Sequence, residues 1–142
     1  PIWLAGLNTF FWRANHFCWN LNNHQLDNSI KTKIISIREK YKRFEWFNYQ
    51  TNILFVNNIN LGEKENLKIF ESLKNETSPL IRLSIYKILL SNSNFSAINK
   101  SKLNHLIKND KEPYLRYTLS DWIVNYGKKE FSTELIKSWF SI

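Results

Sequence analysis

The chain repeats one of its own segments at a fixed spacing. PLIRLSIYKILL begins at Pro79, and PYLRYTLSDWIV begins at Pro113, 34 residues later. Superposed, Pro meets Pro and Arg82 meets Arg116. Ile81, Ile85, Ile88 and Leu89 meet Leu115, Leu119, Trp122 and Ile123. The same step upstream reaches EWFNYQTNILFV, with Trp46, Phe47, Tyr49, Leu54 and Phe55 at apolar sites of the frame. A constant period of this size marks a stack of supersecondary units. No such unit hides its apolar face alone, so each depends on its neighbours. Apolar residues recur in the three-four rhythm of helices, and no alternating run resembles a β-hairpin. The period therefore predicts an all-α fold.

Composition agrees. Of 142 residues only three are Gly and three are Pro, which favours long helices over tight turns. The hydrophobic share of 43% and aromatic share of 15% supply one continuous core for one domain. Net charge is +8, from 20 basic and 12 acidic residues, which favours anionic partners. Fifteen of the cations are Lys and five are Arg. Ammonium point charges suit general attraction to phosphate better than forked reading of bases. The single cysteine, Cys18, excludes an internal disulfide. That fits a reducing compartment, with the cytoplasm as the expected location. No segment approaches the ~18 uninterrupted apolar residues of a membrane span, so no membrane partner is expected. The start, PIWLAGLNTFFWRANHFCW, lacks the basic leader of a signal peptide.

Helices are expected over 3–22, 30–41, 44–57, 64–74, 79–90, 101–108, 113–126 and 132–139. Residues 1–43 are read as an N-terminal helical hairpin packing on the stack. Three units follow, at 44–77, 78–111 and 112–142. Pro79 and Pro113 sit in a first helical turn, where the missing N–H costs nothing. Gly127 follows its helix as a C-terminal stop. Stacks ordinarily end in a unit with a polar outer face. Here WFSI leaves Trp139, Phe140 and Ile142 at the tail. The chain is therefore expected to be a piece of a longer polypeptide or to pack on a partner. Trp3, Phe10, Trp139 and Phe140 are the candidate docking residues.

The string LIKNDKEPYLRYTLSDWIVNYG, residues 106–127, resembles a short HEAT-type repeat. Its parts are Asp110 at the end of one helix, then Pro113, Leu115, Arg116, and a second helix with Leu119 and Trp122 that ends in Gly127. Glu76, Pro79, Ile81, Arg82, Ile85 and Ile88 repeat the pattern without the Gly, and the copy at 45–57 lacks both Pro and Arg. The resemblance covers roughly residues 44–142. It implies a HEAT-like helical-repeat solenoid, an α-α superhelix curving in a right-handed stack. It also implies that Glu76, Arg82, Asp110 and Arg116 are inter-repeat structural residues, each Arg pairing with the acid that precedes it. A narrower resemblance concerns the order of an aromatic FEWFNYQ helix, two Pro-x-x-Arg units and a short terminal helix. It is similar to the helical repeat region that follows the polymerase core in some defence-associated bacterial reverse transcriptases. That resemblance implies a non-catalytic accessory region, since the polymerase's paired-aspartate motif is absent from this chain.

The densest positive segment holds Lys31, Lys33, Arg38, Lys40, Lys42 and Arg43. Helical spacing spreads these cations into a belt rather than one stripe. The belt is the candidate nucleic-acid-binding site, through DNA or RNA phosphates, and such contact is steeply salt-dependent. Its bland counterpart is a solvated face. Tyr41, Phe44, Trp46 and Tyr49 lie nearby, where exposed rings stack on bases but rings in helical rhythm fill cores. His16, Cys18 and His24 do not make a zinc site, because zinc needs three or four converging ligands. No metal and no cofactor is expected.

No Gly-rich phosphate loop, G-x-S-x-G or H-E-x-x-H occurs, so this segment is not expected to be an enzyme. Asp121 beside Trp122 echoes the catalytic Asp and aromatic groove of HEAT-like DNA glycosylases, a distant alternative. The leading expectation is a non-catalytic scaffold or accessory domain that docks a protein partner. Nucleic-acid binding through the basic belt is the alternative.

Overall fold

The computed structural model describes residues 28–41, 43–58, 61–92, 94–125 and 133–141. Within them the chain is all-α, with seven helices and no strand. They are α1 (Asn28–Tyr41), α2 (Glu45–Asn58), α3 (Glu63–Ser72), α4 (Pro79–Ser91), α5 (Ala97–Lys108), α6 (Pro113–Asn125) and α7 (Thr133–Phe140). The helix expected over 3–22 lies outside the described residues. None of the described helices is long and apolar enough to cross a membrane.

The 34-residue period is written into the helix starts. α2, α4 and α6 begin at Glu45, Pro79 and Pro113. Ser78 caps α4 by accepting a hydrogen bond from the Ile81 amide at 3.3 Å, and Pro79 follows at the first helical position. α5 starts at Ala97, four residues before the expected Ser101. Ser96 caps it through the Asn99 amide at 3.3 Å. The early start escaped the apolar rhythm because its first turn carries an exposed Ile98 and no core residue.

Several equivalent columns share burial. Phe47, Ile81 and Leu115 are buried, as are Leu54, Ile88 and Trp122, and Phe55, Leu89 and Ile123. α2 packs on α4, α4 on α6, and α5 on α7. α4 is the central rod, touching α2, α3, α5 and α6. Nearly every residue from Ile81 to Leu90 is buried. The second helix of each pair follows the same frame once. Ile69 of α3 and Leu73 at its C-terminal cap match Leu103 and Ile107 of α5. On α7 the packed residues are Leu135 and Trp139, two positions earlier than the period requires.

Two hydrogen-bonded edges close the rods. On one, the buried Asn66 donates to the Leu61 carbonyl at 3.3 Å, and Asn94 donates to the same oxygen at 3.0 Å. This joins the chain before α3 to the chain before α5. On the other edge lies a cluster around Arg82. Between the helices themselves, Arg38 Nε donates to Asn52 Oδ1 at 2.7 Å, and Asn52 Nδ2 donates to Ser84 Oγ at 2.9 Å. Ser84 donates in turn to the Ile81 carbonyl at 2.7 Å. That thread fixes α1, α2 and α4 in register, because a buried polar group is costly unless it is paired.

Candidate functional site

Among the described residues, a dense polar cluster centres on Asp110. Arg82 holds its carboxylate in a two-pronged bridge, Nε to Oδ2 and Nη2 to Oδ1, each at 3.0 Å. The Tyr86 hydroxyl donates to Oδ2, and the Glu112 amide donates to Oδ1 at 2.9 Å. The remaining Arg82 nitrogen, Nη1, donates to the Thr77 carbonyl at 2.9 Å and to that of Glu76 at 3.4 Å. One guanidinium thus joins the chain entering α4 to the chain leaving α5. Burial pushes the Asp110 carboxyl up, but the bonds from Arg82, Tyr86 and the Glu112 amide outweigh it and hold the group below the ordinary carboxylate value. Burial raises the Tyr86 hydroxyl, and its bond to Asp110 raises it further.

The expected partners are thereby corrected. Arg82 takes the acid that follows it, Asp110, rather than the preceding Glu76. Glu76 instead accepts from the Ser78 amide at 3.0 Å. Arg116 does not pair with Asp110. Its Nη1 donates to the Lys108 carbonyl at 3.0 Å, at the end of α5. Sequence spacing alone does not distinguish an acid six residues before from one 28 residues after, because the hairpin returns the later one to the same edge.

The basic belt divides. Lys33, Lys40 and Arg43 are exposed, and Arg43 lies 4.9 Å from the Phe44 ring centre. Arg38 is only 8% exposed and is spent on Asn52 and Glu39, with its guanidinium 5.6 Å from the Phe55 ring centre. Burial pulls its proton affinity below the ordinary guanidinium value, against the pull of Glu39. Arg38 is therefore part of the core rather than an open phosphate contact. Lys42 and the side chain of Lys31 lie outside the described residues.

Arg38 and Arg43 share a cleft of about 670 Å³ with Lys64 and Lys68 of α3. The last two were missed in the sequence, where they sit among acids and lack a local basic run. Ile35, Phe55, Leu61, Ile69, Ile81 and Ile85 also line the cleft, with Glu39, Glu65 and Glu76. Glu65 comes close to Gly62, and a Cβ there would stand 2.9 Å from its Oε2.

The docking candidates also divide. Trp139 is 2% exposed and belongs to the core. Phe140 is half-exposed, and its ring centre lies 5.1 Å from that of Tyr117. Trp3 and Phe10 lie outside the described residues. Asp121 is exposed and accepts from Asn125 at 2.8 Å. Trp122 beside it is buried, under Lys87 Nζ at 5.6 Å.

A set of exposed residues on α6 escaped sequence reading. Lys87 reaches Trp122 of α6, so Lys87 marks the side of α4 that faces α6. Leu83 and Leu90 lie within about 60° of it around the helix. Both are 8% exposed. One unit later the same columns are Tyr117, Asp121 and Val124. Tyr117 is 62% exposed and Val124 is 71% exposed. Tyr114, in the column of Leu80, extends this open stripe. α6 has α4 on one side and, among the described residues, no third helix of that row on the other. The signal was in the sequence, since these are apolar columns of a repeat. Only the structure tells which copy of a column is covered.

Comparison with family models, with curated proteins and with solved structures finds no match.

Acid stability tests the Asp110 cluster. A carboxyl whose folded value is depressed contributes fully above its unfolded value and loses that contribution as pH falls through the folded one. Below about pH 4 the wild-type chain should lose thermal stability more steeply than Asp110→Asn. Parallel melting-temperature profiles for the two proteins would remove the pair from the account.

Proposed function

We propose that this chain is a non-catalytic, HEAT-like helical-repeat scaffold that docks a protein partner at the open end of its stack. The observation that carries the reading is the contrast within one set of columns. Leu83 and Leu90 are covered, while Tyr117 and Val124 are bare. Tyr114 and Phe140 widen the bare surface around Tyr117. Isolated exposed apolar residues are ordinary, but a contiguous patch marks an interaction site. The even spacing of helix starts and the packing of α2 on α4 and α4 on α6 support the HEAT-like arrangement. The resemblance to the appended repeat region of defence-associated reverse transcriptases implies a non-catalytic accessory role, in assembly or in nucleic-acid handling, within a larger polypeptide.

In isolation, a bare apolar end meets only another copy of itself. Sedimentation velocity across a concentration series should show the wild-type chain associating reversibly. Tyr117→Lys with Val124→Lys should sediment as a folded monomer. A wild-type chain that stays monomeric at the highest concentrations would count against the open end as a docking face.

A second reading rests on the cleft. Arg43, Lys64 and Lys68 bring cations from two parts of the chain to one rim, which suits a phosphate backbone. In filter binding with single-stranded DNA or RNA, the logarithm of affinity should fall with the logarithm of salt at about 0.7 per phosphate contact. Lys64→Gln with Lys68→Gln should lessen that slope. An unchanged slope would detach the cleft from nucleic acid.

A further inference from the structure

The open end carries a second mark besides its bare apolar columns. Arg116 occupies the column of Arg82, and both use Nη1 on a main-chain carbonyl at the end of the preceding helix or loop. Arg82 then places Nε and Nη2 on the Asp110 carboxylate. Arg116 Nε is buried and has no acceptor among the described residues. A buried guanidinium nitrogen without an acceptor is costly, and a carboxylate is the acceptor whose two oxygens fit that fork.

We infer that the open end receives a partner helix whose entering chain brings a carboxylate to Arg116. The inference rests on the docking reading above and specifies the chemistry of the partner. The unit already in place supplies the pattern. Asp110 lies three residues before α6 begins, and α6 then places Leu115, Leu119 and Trp122 into the core. These are the third, seventh and tenth residues of the helix. The occupant therefore carries an acidic residue, a two-residue spacer, and a helix with apolar side chains at those three positions. Its carboxylate meets Arg116, and its apolar stripe covers Tyr117 and Val124. A second copy of the chain does not offer this arrangement at α2, where the position three residues before Glu45 is Lys42. The acidic-and-apolar pattern also separates this surface from the cleft that Lys64 and Lys68 line, which no residue of α6 borders.

The probe is a synthetic peptide, acetylated and amidated so that its only designed carboxylate is the one tested. It is built as Asp-x-x-Pro with leucines at the third, seventh and tenth helical positions. Binding to the full chain is read by fluorescence anisotropy. The aspartate peptide should bind, and its Asp→Asn form should bind about tenfold more weakly or worse. Arg116→Lys keeps the charge but removes the Nε donor and should produce the same loss with the aspartate peptide. It should have little effect with the asparagine peptide. Tyr117→Lys with Val124→Lys should abolish binding of both. Equal binding of the two peptides to the wild-type chain would overturn the carboxylate while leaving the docking face intact. Failure of the aspartate peptide to bind a chain that still associates through Tyr117 and Val124 would overturn the inference alone. Failure to bind together with a strictly monomeric chain would overturn both.

Discussion

The bridge between Arg82 and Asp110 is the constraint that the rest of the fold depends on. It is a buried ion pair, with side-chain exposures of 9% and 2%. Two charges taken from water are stabilising only when their geometry is good and their remaining hydrogen-bonding positions are filled. Both conditions hold. The carboxylate has Tyr86 and the Glu112 amide besides its two arginine bonds, and the guanidinium has two carbonyls besides its carboxylate. The effect is geometric. The turn after α3 and the turn after α5 are held on one edge, so α4 lies at a fixed place between its neighbours. Hydrophobic packing along α4 alone would permit rotation and sliding, because an Ile–Leu surface has little directional preference.

The same logic explains the second polar thread. Arg38, Asn52 and Ser84 run through otherwise apolar contacts between α1, α2 and α4. Each group has a stated partner, and the thread allows one register of the three rods. It also removes Arg38 from the pool of cations open to solvent. Charge counted along a sequence therefore overstates charge available at a surface. The available cations come together in a different way, with Arg43 at a turn meeting Lys64 and Lys68 on α3 across the cleft.

Much of the helical frame was legible in the sequence, because apolar spacing is a local property. The starts at Glu45, Pro79 and Pro113, and the buried columns through Phe47, Ile81 and Leu115, could be read from alignment of the chain with itself. What depended on tertiary return was less legible. The partner of Arg82 lay 28 residues ahead, where only the folded hairpin reveals it. The two-residue slip of α7 is invisible until Trp139 is seen to pack inside rather than wait at the surface. Exposure within one column was also hidden, since Leu83 and Tyr117 are equivalent in register and opposite in burial. Neighbours, rather than residue type, decide that difference.

The central claim is that Arg82 and Asp110 act as one unit that holds the turns on either side of α4. A double-mutant cycle with Arg82→Gln and Asp110→Asn, measured by urea denaturation, tests it most directly. The account predicts that either single change destabilises the chain strongly and that the second change then adds little, a coupling of about 2–3 kcal/mol. Additive losses, with coupling under about 0.5 kcal/mol, would contradict it.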